Sequence, residues 1–153
     1  GGQSSIDAYR TFTPEQIEAH IQFFKDTLNY YQHDNRLFVH AGFTNLHGPD
    51  YEYSDKGFYW DRTLWEMALA MDPSIKPGDT FYPKRLAHFD EIFIGHTPVT
   101  RIGKTTPVNK ANIWNVDTGA AFKGPVSAIN VITKEIVQSD PVYTLYPNEQ
   151  GRN

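Results

Sequence analysis

Cysteine is absent from the 153 residues, which removes disulfide scaffolds, thiolate zinc sites and thiol nucleophiles together and leaves the compartment open. Any metal must then be held by His, Asp, Glu or Asn. No apolar run approaches the roughly 20 residues that cross a bilayer, so no membrane partner is expected. A basic excess is missing too, since 14 Lys and Arg stand against 18 Asp and Glu for a net charge of −4. Modules that neutralise phosphate backbones need a basic face, so nucleic acid is not an expected partner. Gly1-Gly2-Gln3-Ser4-Ser5 has neither the basic start nor the apolar stretch of a signal peptide. With no Met at position 1, the chain is expected to begin after a cut, and a cytoplasmic location is expected. Repeats and low-complexity tracts are also lacking.

What is present is enough for one folded domain: 39% apolar residues and 14% aromatics in a length that buries about 70% of its unfolded surface when it closes a core. Thr13-Pro14-Glu15-Gln16 supplies an N-cap hydroxyl, a proline at the first helical position and a Gln three residues after the cap. Ile17, Ile21, Phe24 and Leu28 follow at helical spacing, which predicts a helix from Pro14 to Tyr31. Arg36 to Ala41 reads as a buried strand closed by His40, and Glu91 to Gly95 as a second one followed at once by His96. Between them lie a long polar loop from Phe43 to Gly57, a helix capped by Asp61 and running to Met71, and a weakly helical Tyr82 to His88. After a loop from Pro98 to Lys110 come three strands, Asn112 to Asp117, Val126 to Thr133 and Glu135 to Ser139, the last two joined by a tight Thr133-Lys134 turn. This order predicts an α/β layer with a β-rich end.

Of the six histidines, four have ordinary settings. His20 falls on a solvated helix face, His33 and His47 in loops and His88 near a helix end. His40 and His96 differ because each terminates a predicted buried strand beside a glycine. Ligands collect outside the carboxyl ends of strands in open α/β sheets. Spacing alone leaves two readings: a shared metal ion, or two strand-end histidines bonded to backbone. Arg62, by itself, reads as a first-turn helix residue in a surface pair with Asp61. Asp117 reads as a holder of backbone amides, with Gly119 allowing a turn. Phe43, Tyr51 and Trp60 read as core or rim packing.

Taken in order, Leu37-Phe38-Val39-His40-Ala41-Gly42, Tyr59-Trp60-Asp61-Arg62, Ile92-Phe93-Ile94-Gly95-His96-Thr97-Pro98 and Asn115-Val116-Asp117-Thr118-Gly119-Ala120 resemble the second half of a calcineurin-like metallophosphoesterase. The branch resembled is that of serine/threonine protein phosphatases and symmetrical dinucleoside tetraphosphatases. The resemblance implies the C-terminal part of a four-layer α/β/β/α sandwich over residues 1–153. It implies that His40 and His96 ligate one of two divalent ions, manganese or iron and zinc, and that Arg62 binds the substrate phosphate. No catalytic acid or base is assigned to this chain.

The family's opening motifs, Asp-x-His, Gly-Asp-x-x-Asp-Arg-Gly and Gly-Asn-His-Glu, occur nowhere in these residues. Two histidines are fewer than the three protein ligands of an ordinary catalytic zinc. The resemblance therefore implies a hydrolase of phosphate monoesters that is complete only with an N-terminal half, and a chain that alone is inactive. A dinucleoside tetraphosphate hydrolase and a non-catalytic binding module are the alternatives. The expected partners are a phosphorylated substrate and the missing half, or failing that a second copy. An apolar face carrying Phe38, Ile92, Ile94 and Val116 is expected to be left uncovered.

Overall fold

A computed structural model describes residues 2–146. A five-stranded mixed sheet carries the molecule, with order β1-β2-β3-β5-β4. The strands are β1 (Tyr30–His33), β2 (Arg36–Val39), β3 (Glu91–Ile94), β4 (Val108–Lys110) and β5 (Ile113–Asn115). The central three, β2, β3 and β5, run parallel. Each outer strand is added antiparallel by a hairpin. A separate two-stranded sheet pairs β6 (Pro125–Ile129) with β7 (Ile136–Pro141).

The helices are α1 (Gln3–Ala8), α2 (Pro14–Lys25), α3 (Lys56–Trp60), α4 (Thr63–Ala70) and α5 (Val142–Leu145). Among the described residues no helix is long and apolar enough to cross a membrane. The predicted start of α2 is present in full: Gln16 N–H donates to Thr13 Oγ1 and Thr13 N–H to Gln16 Oε1. Its predicted end is not. The helix stops at Lys25, and Tyr30 and Tyr31 lie in β1. Asp34 and Asn35 both adopt positive φ, 47° and 56°, the signature of a tight two-residue hairpin. That turn binds Tyr30–His33 to Arg36–Val39 in register and outweighs the helical spacing of Leu28. His33 consequently sits on β1 and not in a loop.

One face of the sheet is fully covered. Leu37, Val39, Ile92, Ile94 and Ile113 point into a core completed by Phe43, Phe58, Leu64, Trp65, Ala68, Tyr82 and Leu86. Ile92 and Ile94 are therefore buried within this chain, contrary to the expectation of an uncovered face containing them. Strand alternation explains the difference. Phe38 and Phe93 face the opposite side, where their rings stack at 5.0 Å. Lys134, from the β6–β7 connection, folds over that side with its ammonium 5.4 Å from the Phe93 ring and 5.9 Å from the Trp114 ring. Its Nζ also meets Glu91 at 2.6 Å, and Arg36 meets the same carboxylate at 2.8 Å. Val116 is half-buried.

Other departures are local. The Phe43 to Gly57 loop contains a 3-10 turn at Pro49–Tyr51 and the first residues of α3. The helical tendency at 82–88 survives only as a 3-10 turn, Leu86–His88. The Pro98 to Lys110 loop ends in β4. The β6–β7 connection is wider than a Thr133-Lys134 turn: Asn130 N–H donates to Glu135 O, and Asn130 Oδ1 accepts from Ile132 and Thr133.

Candidate functional site

His40 directly follows β2, and His96 lies two residues beyond β3. Because β2 and β3 are adjacent and parallel, both imidazoles come out at the same carboxyl edge. Gly95 N–H donates to His40 O at 2.8 Å, which extends the ladder to the two histidines. Although 56 positions separate them, His40 Nε2 lies 3.2 Å from His96 Nδ1. Their rings meet at 63° with centroids 5.1 Å apart.

The chain bends sharply at His96. Thr97 N–H donates to Gly95 O at 2.7 Å, and His96 itself has φ of 65°. A bond from i+2 to i around a residue of positive φ is the rare form of the γ-turn. It aims the imidazole back across the strand end toward His40. The His96 Nε2 is shielded from solvent without a hydrogen-bond partner among the described residues. Burial holds the ring below the ordinary imidazole pKa, and the charges of His40, Arg62 and Arg101 push the same way against Asp117. The neutral imidazole, the form that can donate a lone pair, is favoured.

Trp60 and Arg62 reach this edge through a second local construction. Ala41 N–H donates to Phe58 O at 2.8 Å, tying the strand end to α3. Asp61, between α3 and α4, is buried, and its carboxylate accepts from the Thr63 and Leu64 N–H groups at 2.9 and 3.0 Å. Asp61 thus caps α4 as predicted, while its charge partner is Arg85 at 3.8 Å and not Arg62. Gly42 makes the approach possible: a Cβ there would lie 2.6 Å from Asp61 Oδ2 and 3.1 Å from Leu64 Cβ. The Trp60 indole stands edge-on to His96 at 5.4 Å while 69% exposed. Arg62 is exposed and close enough to act on the His96 titration.

The remaining residues singled out in the sequence sort cleanly. Phe43 belongs to the core, and Tyr51 is exposed beside His47. Asp117 accepts from Gly119 N–H at 2.9 Å, and Gly119 turns the chain at φ of 82°. His20 bonds Tyr9, and His88 faces Leu46 O. Among the described residues no group of three or more His, Cys, Asp or Glu is placed to hold a metal ion. Arg101 was missed. Its signal was a cation five residues after His96 in the same strand-end loop.

Comparison of the chain with protein-family models and with curated proteins gives no match.

Proposed function

We propose that this chain is the C-terminal part of a calcineurin-like metallophosphoesterase, built as a four-layer sandwich and hydrolysing phosphate monoesters when joined to an N-terminal half. The observation that carries the reading is the 3.2 Å approach of His40 Nε2 to His96 Nδ1. Two imidazole nitrogens sharing one ion stand about 3.0–3.4 Å apart, from right-angled to tetrahedral coordination with bonds near 2.1 Å. The separation therefore suits two ligands of one ion, which would take the place of the N–H···N hydrogen bond that the two rings make. The favoured neutral state of His96 supports the same use; a ligating imidazole also donates its other N–H to an acceptor, which His96 Nε2 lacks among the described residues. In this reading that acceptor and the further metal ligands come from another segment.

A bound divalent ion, one of two, would supply charge neutralisation and a water of lowered pKa. The chain's own residues do the rest. His40 Nε2 and His96 Nδ1 stand side by side at the strand edge, at the separation of two ligands of one ion. Arg62, next to the Asp61 cap, offers a planar fork to phosphate oxygens. Trp60 stands edge-on to the His96 ring and walls one side of the edge. A dinucleoside polyphosphate is the alternative substrate, and assays of phosphopeptide against diadenosine tetraphosphate separate the two.

The test begins with metal. Manganese titrated into the chain should broaden amide signals around His40 and His96, and His40→Ala or His96→Ala should abolish the effect. Broadening elsewhere only, or unchanged broadening in both variants, would overturn the assignment. In a longer polypeptide carrying the missing motifs, either substitution should remove most of kcat. Arg62→Ala should retain the metal and raise KM. The 153-residue chain alone should not hydrolyse p-nitrophenyl phosphate above buffer.

A further inference from the structure

On the far side of the strand-end loop lies a cleft of about 690 Å³, between the turn that follows His96 and the β6–β7 sheet. Pockets that take small organic ligands span about 300–1,000 Å³. Pro98, Phe122, Pro125 and Pro141 give it an apolar lining, and Arg101 and Lys123 bring two cations to it. Neither cation forms an ion pair among the described residues. In a chain of net charge −4, two cations over one apolar cleft, neither paired among the described residues, are an arrangement with a chemical meaning. They match a dianion, and the aromatic and proline surfaces match a flat apolar body attached to it.

We infer that this cleft is a binding site for a small organic phosphomonoester, the phosphate held by Arg101 and Lys123 and its apolar body lying against Phe122 and the prolines. The monoester is favoured over a carboxylate because two positive charges balance its two negative ones. His40, Trp60, Arg62 and His96 do not line the cleft, so it is distinct from the histidine edge. The assignment uses no metal and no catalytic step, so it stands or falls separately from the proposed hydrolase reading.

The experiment is a 1H–15N titration of the chain with phenyl phosphate, with inorganic phosphate and benzyl alcohol as arms that carry only the anion or only the apolar body. Saturable shifts are expected at the Phe122 and Gly124 amides and the Arg101 side chain with phenyl phosphate, and weaker ones in either arm. The double variant Arg101→Gln with Lys123→Gln should raise the dissociation constant by about tenfold or more. Arg101→Glu should abolish saturation. Both side chains are exposed, so the rest of the spectrum should be unchanged and serves as the folding control. Shifts confined to Trp60 and His96, affinity unaltered by the substitutions, or inorganic phosphate binding as tightly as phenyl phosphate would each overturn the inference. Manganese broadening at His40 and His96, recorded on the same sample, reports on the hydrolase reading independently.

Discussion

Replacing Asp61 by Ala removes a carboxylate that does three jobs at once. It accepts from the Thr63 and Leu64 N–H groups, accepts from Thr63 Oγ1 at 2.7 Å, and faces the mostly buried Arg85 guanidinium at 3.8 Å. Losing an N-cap acceptor costs about 1–2 kcal/mol. Arg85 is then left without its counter-charge, although its bonds to Phe43 O and Thr63 Oγ1 at 2.9 and 3.0 Å remain. That second loss is therefore smaller than for a fully stripped buried pair, about 1–2 kcal/mol. The sum, roughly 2–4 kcal/mol, corresponds to a fall in Tm of about 5–12 °C for a domain near 150 residues. Asp61→Asn keeps an acceptor for the cap and should lose only about 1 kcal/mol.

Gly42→Ala provides the cross-check, because its new methyl overlaps Asp61 Oδ2 and should cost about 1–3 kcal/mol alone. In the Asp61→Ala background part of that overlap is gone, so the double variant should be more stable than the sum of singles by about 1 kcal/mol. Urea and thermal unfolding followed by circular dichroism measure the parent and the four variants. An Asp61→Ala protein within about 0.5 kcal/mol of the parent, or strict additivity with Gly42→Ala, would refute the account of how Arg62 and Trp60 are positioned.

Three further outcomes follow from other parts of the molecule. The Tyr30 phenol donates to Asp50, and this bond, with burial and the Asp50 charge, raises its pKa to about 12. Its contribution is present below the unfolded tyrosine pKa near 10 and lost as pH rises through 12, so the parent should lose stability over that window more steeply than Tyr30→Phe, which denaturant midpoints against pH would register. At Gly124 a Cβ would lie 1.8 Å from Thr118 O; this is backbone and cannot rotate away, so Gly124→Ala should destabilise by about 3 kcal/mol or more, and a variant with parental Tm would contradict the local geometry. Helix α2 buries no residue, and its Phe23 and Phe24 are each at least 65% exposed, so its amides should exchange through openings of about 0–2 kcal/mol while Leu37 and Ile92 report global unfolding; equal protection in both places would show that something covers α2.

Legibility in the sequence followed the range of the interactions. The α2 start was readable because the capping box is complete within four residues, and His40 and His96 were readable because each ends a short β-branched or aromatic run before a turn. The end of α2 was not, since the spacing of Ile17, Ile21, Phe24 and Leu28 runs on past Lys25, where the helix stops, up to the Tyr30 that the Asp34-Asn35 hairpin claims. Nor was β4 readable, because Val108–Lys110 has little strand character of its own and takes its conformation from pairing with β5. Which face would be covered depended on strand alternation against α4, a tertiary matter that placed Ile92 and Phe38 on opposite sides. The coupling of Gly42 to Asp61 joins two motifs read separately, and only their folded separation reveals it.

The γ-turn at His96 puts a side chain where the backbone would rather have none. Positive φ costs a residue with a Cβ about 1–2 kcal/mol, and a glycine at this position would escape that penalty. Stability and chemistry thus favour different residues at one site. Selection for thermal resistance alone, applied to random variants, should enrich His96→Gly over His96→Ala, although both discard the same imidazole. The two variants thus separate what the backbone gains at this turn from what the ring supplies at the strand edge.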